Sequence, residues 1–143
     1  MFKNILLTVD LNQPATWRKA LPLAVEMASA PGAKLHILSV VPGPGTPLVD
    51  SFFPKDFEEK ALAKARSELE KLVAENVPDN VEVNQHLAFG TIHQKVLDLL
   101  EKIGCDLIVM ASHAPDRVRE FLVGSHADRV VRRSSVSVLV VRE

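Results

Sequence analysis

Leu107-Ile108-Val109-Met110-Ala111-Ser112-His113-Ala114-Pro115-Asp116, followed shortly by Gly124-Ser125-His126-Ala127-Asp128, decides how this chain is read. The first segment is an apolar run that ends in a polar loop. The second is a Gly-Ser start to a helix. A buried strand, a loop and then a helix N-terminus is how an open α/β sheet builds a phosphate site. The free N–H groups of the first helical turn point outward, and the helix dipole favours an anion there.

Working outward from that segment, the chain alternates strands and helices. Ile5-Leu6-Leu7-Thr8-Val9 is a continuous apolar run, as in a parallel strand covered on both faces, and it ends at Asp10. Asn12 and Pro14 suit a helix start, and a helix is expected from about Pro14 to Ser29, with Pro22 bending or breaking it. Leu35 to Val41 is the second strand. Pro42 to Pro54 is rich in turn formers and reads as a long loop. From about Lys55 to Glu75, Phe57, Ala61, Leu62, Ala65, Leu69, Leu72 and Val73 form one helical stripe. Val81 to Leu87 alternates at first, as an edge strand does. Thr91 and Gln94 form a capping box for a helix that Gly104 closes. Asp106 to Ala111 is the fourth strand. Ser125 and Asp128 make a second capping box, for a helix ending at Arg132-Arg133, and Val136 to Val141 is the fifth strand.

This order gives a single α/β domain over residues 1–143: an open five-stranded parallel sheet with helices on both faces and right-handed crossovers. With the common strand order 3-2-1-4-5, strands one and four are neighbours. Asp10 and the loop after Met110 then meet at the switch point, where ligands bind beyond the carboxyl ends of the strands.

The totals narrow the function classes. The 143 residues are 47% hydrophobic and 24% charged, with a formal net charge of −1, so no basic excess argues for a nucleic-acid partner. The single cysteine, Cys105, excludes an internal disulfide and reads as a small apolar filler. No apolar run is long enough for a membrane span, and the N-terminal run is too short for a signal segment, so a cytoplasmic protein is expected.

Asp10 sits where a carboxylate can accept hydrogen bonds from a ribose or a base amine, or can cap the next helix. Gly124-Ser125 offers N–H groups and a hydroxyl at a helix start. His113 and His126 flank that start and could donate to an anion, with Arg117 and Arg119 in the same loop. None of the five histidines falls in a metal-ligand pattern. There is no phosphate-binding GxxxxGK(S/T) loop, no GxGxxG after the first strand and no GxSxG elbow. No nucleophile–base set is visible, so no catalytic residue is assigned.

With these segments in hand, the chain resembles the universal stress protein family over essentially its whole length. The Ala-Ser-His-x-Pro-Asp segment, Leu122-Val123-Gly124-Ser125 and Val130-Val131-Arg132 are most similar to the small bacterial F/G-type subgroup. The resemblance implies a Rossmann-like fold, usually a homodimer, and adenine-nucleotide binding in one branch of the family. That branch carries GxxG, nine residues, then G(S/T). Here Ala111 to Ala114, nine residues and Gly124-Ser125 keep the spacing, but both early glycines are alanine. By resemblance, Asp10 would contact adenine or ribose and Val40 the adenine. Met110 and Ala111 would line the ribose-phosphate region, with His113 and Ala114 in the loop. Gly124, Ser125 and His126 would hold the phosphates. Thr8 and Val9 stand where many relatives carry Pro and Thr.

The resemblance thus implies a stress-response module that binds ATP or AMP, with Mg²⁺ accompanying ATP, and signals by ligand state. A homodimer could form by pairing of the last strand. Two alternatives stand beside it: an interaction dimer whose crevice holds no nucleotide, which the two alanines favour, and a slow ATPase. No membrane partner is expected.

Overall fold

The computed structural model describes residues 1–41, 56–112 and 125–142. Five strands form one sheet: β1 (Asn4–Val9), β2 (Lys34–Val41), β3 (Val83–Phe89), β4 (Leu107–Ser112) and β5 (Ser137–Arg142). Every pairing is parallel, and the order is β3-β2-β1-β4-β5, as the strand–helix alternation predicts. Among the described residues four α-helices cover it: α1 (Ala20–Ala28), α2 (Phe57–Asn76), α3 (Ile92–Ile103) and α4 (Ser125–Arg133). A short 3-10 turn, Pro14–Thr16, precedes α1.

Two apolar layers hold the sheet between the helices. Ile5, Leu7, Val9, Leu35, Ile37, Leu107 and Val109 face α1 and α2, where they meet Leu21, Ala24, Leu69 and Leu72. Leu6, Leu38, Val40, Ile108 and Met110 face α3 and α4, where they meet Val96, Leu100, Ala127 and Val130. The alternation of strand side chains sorts successive residues to opposite layers, so consecutive positions of β1 must be apolar. Ile5, Leu6 and Leu7 are all fully buried. Each such side chain contributes about 1.5–3 kcal/mol of burial.

Three local expectations change. The break before α1 lies at Trp17–Lys19, one turn ahead of Pro22, and Pro22 occupies the first turn of the helix. The reason is steric: a proline ring collides with the carbonyl four residues back, here that of Arg18, so regular helix begins beyond it. Thr91 is the N-cap of α3 in extended conformation, yet its side chain makes no capping bond; its carbonyl receives the Lys95 N–H at 3.0 Å. The Asp128 carboxylate pairs forward with Arg132 Nε at 3.1 Å, and the Ser125 side chain of the expected capping box lies outside the described residues. Gly104 closes α3 as expected, at φ +63° with its N–H on the Leu100 carbonyl.

Asp106 lies just before β4 rather than within it. Its carboxylate accepts the N–H groups of Lys3 (2.9 Å) and Asn4 (3.0 Å), fixing the start of β1 beside β4.

Candidate functional site at the carboxyl end of the sheet

The ladder between β1 and β4 is short. It registers Ile5, Leu6 and Leu7 with Leu107, Ile108 and Val109, and then stops. On either side, β1 continues with β2 as far as Val9 against Ser39, and β4 continues with β5 as far as Ser112 against Arg142. The two central strands therefore part at their carboxyl ends, opening the crevice expected at a switch point.

Asp10 stands at the lip of that crevice. Its Oδ1 accepts the Asn12 N–H at 2.9 Å, a tight turn in which the side chain mimics a backbone carbonyl. The Asp10 N–H donates to Thr16 Oγ1 at 2.8 Å, and the Asp10 carbonyl accepts the Gln13 N–H at 3.0 Å. Asp10 thus shapes its own loop and does not cap a helix; Gln13 stands at the N-cap of the 3-10 turn, with no side-chain bond. Among the described residues no donor reaches the second carboxylate oxygen, which leaves its lone pairs for a donor from outside.

A cleft of about 160 Å³ opens beside Asp10, between the carboxyl ends of β1 and β2 and the first half of α2. Asp10, Leu11 and Asn12 form one side, and Ser39, Val40 and Val41 form the floor. Ala61, Lys64, Ala65 and Glu68 of α2 form the far wall, with Lys64 Nζ 3.9 Å from Glu68 Oε1 at the rim.

On the other side of Asp10 lies the end of β4 and the start of α4. Ala111 is an ordinary strand residue, half-buried and paired with Val141. No non-glycine residue among those described has a positive φ, so at position 111 the backbone makes no demand that only glycine could meet. Ser125 is the first residue of α4. His126 follows and stacks on His93 in the first turn of α3, with ring centroids 5.6 Å apart and the two Nδ1 atoms at 3.4 Å. Burial chiefly, and then Arg129, holds both imidazoles below their ordinary pKa. Two helix N-termini and Arg129 make the potential here positive, and a neutral imidazole can still donate one N–H.

The structure places the expected residues unequally. Asp10, Val40, Met110, Ala111 and the start of α4 lie at the carboxyl end of the sheet, as do Thr8 and Val9. Val40 and Met110, however, are 7% and 4% exposed, with side chains in the core against α3 and α4. What they can offer a ligand is backbone. Thr8 and Val9 are buried in opposite layers. His113, Ala114 and Gly124 lie outside the described residues, as do Arg117 and Arg119 and the side chain of Ser125. Ser39 lines the cleft and was not singled out from the sequence. The alternation Leu35, Ile37, Ser39 was the available signal, since it turns Ser39 toward α2 at the carboxyl end of its strand.

Two other chemically capable groups sit away from this end. Cys105 is buried, and desolvation pushes its thiol up to about 11, which suits an inert filler. His36 and His86 meet across β2 and β3, Nδ1 to Nε2, at 3.0 Å. Among the described residues no group of three or more His, Cys, Asp or Glu could hold a metal ion, and no helix is long and apolar enough to cross a membrane.

Comparison with known proteins follows the same lines. A model of the universal stress protein family matches residues 1–142. Universal stress protein G of Escherichia coli O157:H7 is 32% identical over 144 residues, covering 99% of this chain and 100% of that one. Universal stress protein UspA from Lactobacillus plantarum superposes with a TM-score of 0.74 at 24% identity, covering 98% and 97% of the two chains. A universal stress protein solved in complex with cAMP superposes with a TM-score of 0.63 at 21% identity, covering 99% and 97%.

Proposed function

We propose that this chain, which belongs to the universal stress protein family, is a module that binds an adenine nucleotide, ATP or AMP, and acts by ligand state and dimerisation rather than by turnover. The observation that carries the reading is the parting of β1 and β4 after Leu7 and Val109, with Asp10 on one lip and the N-terminus of α4 on the other. An anion is favoured at the helix start, and a hydroxyl or amine donor is favoured at Asp10. A nucleotide carries both, separated by a ribose. The relative solved with cAMP is a protein of this fold with an adenine nucleotide bound.

In this reading Asp10 receives the ribose or base, backbone groups of Val40 and Met110 border it, and Gly124, Ser125 and His126 face the phosphates. Ala111 fits, because its backbone is extended. With ATP, Mg²⁺ would accompany the phosphates. The module would work in the cytoplasm. The edge position of β5, with Val138 to Val141 only half-buried, supports a homodimer formed by pairing that strand with its copy.

Titration calorimetry with ATP and with AMP tests the reading. Saturable heat with either supports it, and no heat at millimolar nucleotide overturns it. The alternative of an interaction dimer with a crevice that takes no nucleotide draws on Ala114, where the branch that binds has glycine. It predicts no heat until that glycine is restored, together with a sedimentation coefficient of a dimer.

A further inference from the structure

We propose that His36 and His86 form a proton-operated latch between β2 and the edge strand β3: the pair holds only while both rings are neutral, and one added proton parts it. The latch lies on the α3 side of the sheet and is independent of the nucleotide reading above.

Two observations converge. His36 Nδ1 and His86 Nε2 face each other at 3.0 Å, so one of them carries the proton and the other accepts it. The other ring nitrogen of His36, Nε2, is buried with no hydrogen-bond partner, on a residue that is 8% exposed. The outer nitrogen of His86, Nδ1, is not stranded in this way, and its residue is half-buried at the sheet edge.

Counting protons then fixes what the pair can do. Two neutral imidazoles carry two N–H groups between them. One fills the contact, and the second must sit on an outer nitrogen. On His36 Nε2 it would be a buried donor without an acceptor, whereas on His86 Nδ1 it reaches water. The neutral pair is therefore His36 Nδ1–H donating to His86 Nε2, with His36 Nε2 bare. A third proton leaves no such choice. With the contact kept, both outer nitrogens must carry hydrogen, which strands a donor at His36 Nε2 and puts a positive charge in the buried layer.

The surrounding charges do not relieve this. Burial is the first cause holding both rings below their ordinary pKa, followed by His86 and Lys34 at His36 and by Lys102 of α3 at His86. Glu82, at the foot of β3, is the one carboxylate among these groups, and Lys34 holds it at 3.5 Å. His86 is the less buried ring, so it takes the proton and turns out to water. His36 then loses its partner, and water enters the layer between β3 and α3. Because β2 is the only strand beside β3, losing this contact weakens the hold on the whole edge. The His93–His126 pair differs. None of its nitrogens is buried without a partner, so it can take up a proton in place.

Acidifying the purified protein tests the latch. Nitrogen NMR of the imidazoles at pH 7.5 should show His36 protonated at Nδ1 and bare at Nε2. Between pH 7.5 and pH 5, His86 should take up a proton before His36. Amide hydrogen exchange, corrected for its intrinsic pH dependence, should show β3 losing protection by about 10-fold or more relative to β1, the worth of one buried hydrogen bond beside a charge. His86→Gln keeps an amide against His36 Nδ1 without an atom that titrates, so in the folded variant the extra loss at β3 should disappear. A proton on His36 Nε2 at pH 7.5 overturns the latch. So does protection that falls equally in β1 and β3 or not at all, and so does an undiminished loss in the folded His86→Gln protein. If that variant fails to fold, the two wild-type measurements decide alone.

Discussion

At the scale of single residues, position in the backbone decides what each side chain can do. Gly104 shows this most simply. It holds φ +63°, and a Cβ built there would meet nothing within 4 Å. Gly104→Ala therefore costs backbone strain alone, about 1 kcal/mol, which a urea titration would read as a lower midpoint with an unchanged slope. A neutral substitution would show that α3 can end without the left-handed residue. Gly104 was legible in the sequence because a glycine after a helical stripe has few other uses. Asp10 was legible in place but not in partner: strand-end position is written in the pattern, whereas the bond to the Asn12 N–H depends on how the loop turns. Ser39 was missed for a different reason. The resemblance pointed to Val40, whose side chain lies in the opposite layer, and the period of two then makes its neighbour the residue that faces the cleft.

At the scale of elements, pattern located the helices well and their ends less well. Apolar stripes are long-range statements about which face is buried, and α2 buries Ala65, Leu69, Leu72 and Val73 from the stripe the sequence shows. Caps are statements about one rotamer. Thr91 keeps the extended N-cap backbone without using its hydroxyl, and Asp128 has a better partner in Arg132, one turn ahead. His93, a polar residue buried inside the α3 stripe, was hidden because its neighbour across the helix pair is His126, thirty-three positions away. Pro22 gives the sharpest test at this scale. An interior proline costs about 3 kcal/mol, so replacing one with alanine should stabilise the protein strongly. In the first turn of α1 there is no such penalty to relieve. Pro22→Ala should instead leave stability unchanged or lower it by up to about 1 kcal/mol, because the unfolded chain gains freedom. A rise in melting temperature of many degrees would mean that α1 extends upstream through Arg18.

At the scale of the whole molecule, strand order was legible because parallel strands and short helical crossovers leave few topologies. The pairing of histidines was not, since it depends on that topology and on register. Four of the five histidines fall into two pairs, His36 with His86 on the sheet and His93 with His126 between α3 and α4. Burial is the largest cause holding all four below the ordinary value of 6.5. Charges around them work mostly in the same direction: Lys34 and Lys102 near the first pair, Arg129 and Arg133 near the second, with Glu82 alone opposing at His36. The sign of the consequence is fixed. In the unfolded chain these imidazoles take up protons near pH 6.5, and in the folded protein only at lower pH. The unfolded state then binds more protons, so stability falls as pH falls. The contribution is complete above 6.5 and is lost progressively below it, until the folded-state values are passed. Melting temperature measured from pH 7.5 to pH 5 should therefore decline by several degrees, with the steep part beginning near 6.5. Replacing His36 and His86 together with glutamine removes two of the four proton sites, so the doubly substituted protein should lose stability less steeply over the same range. Should the wild type melt at one temperature from pH 7.5 to pH 5, the two pairs would have to be open to water, and His126 could then meet a phosphate as a cation rather than as a neutral donor.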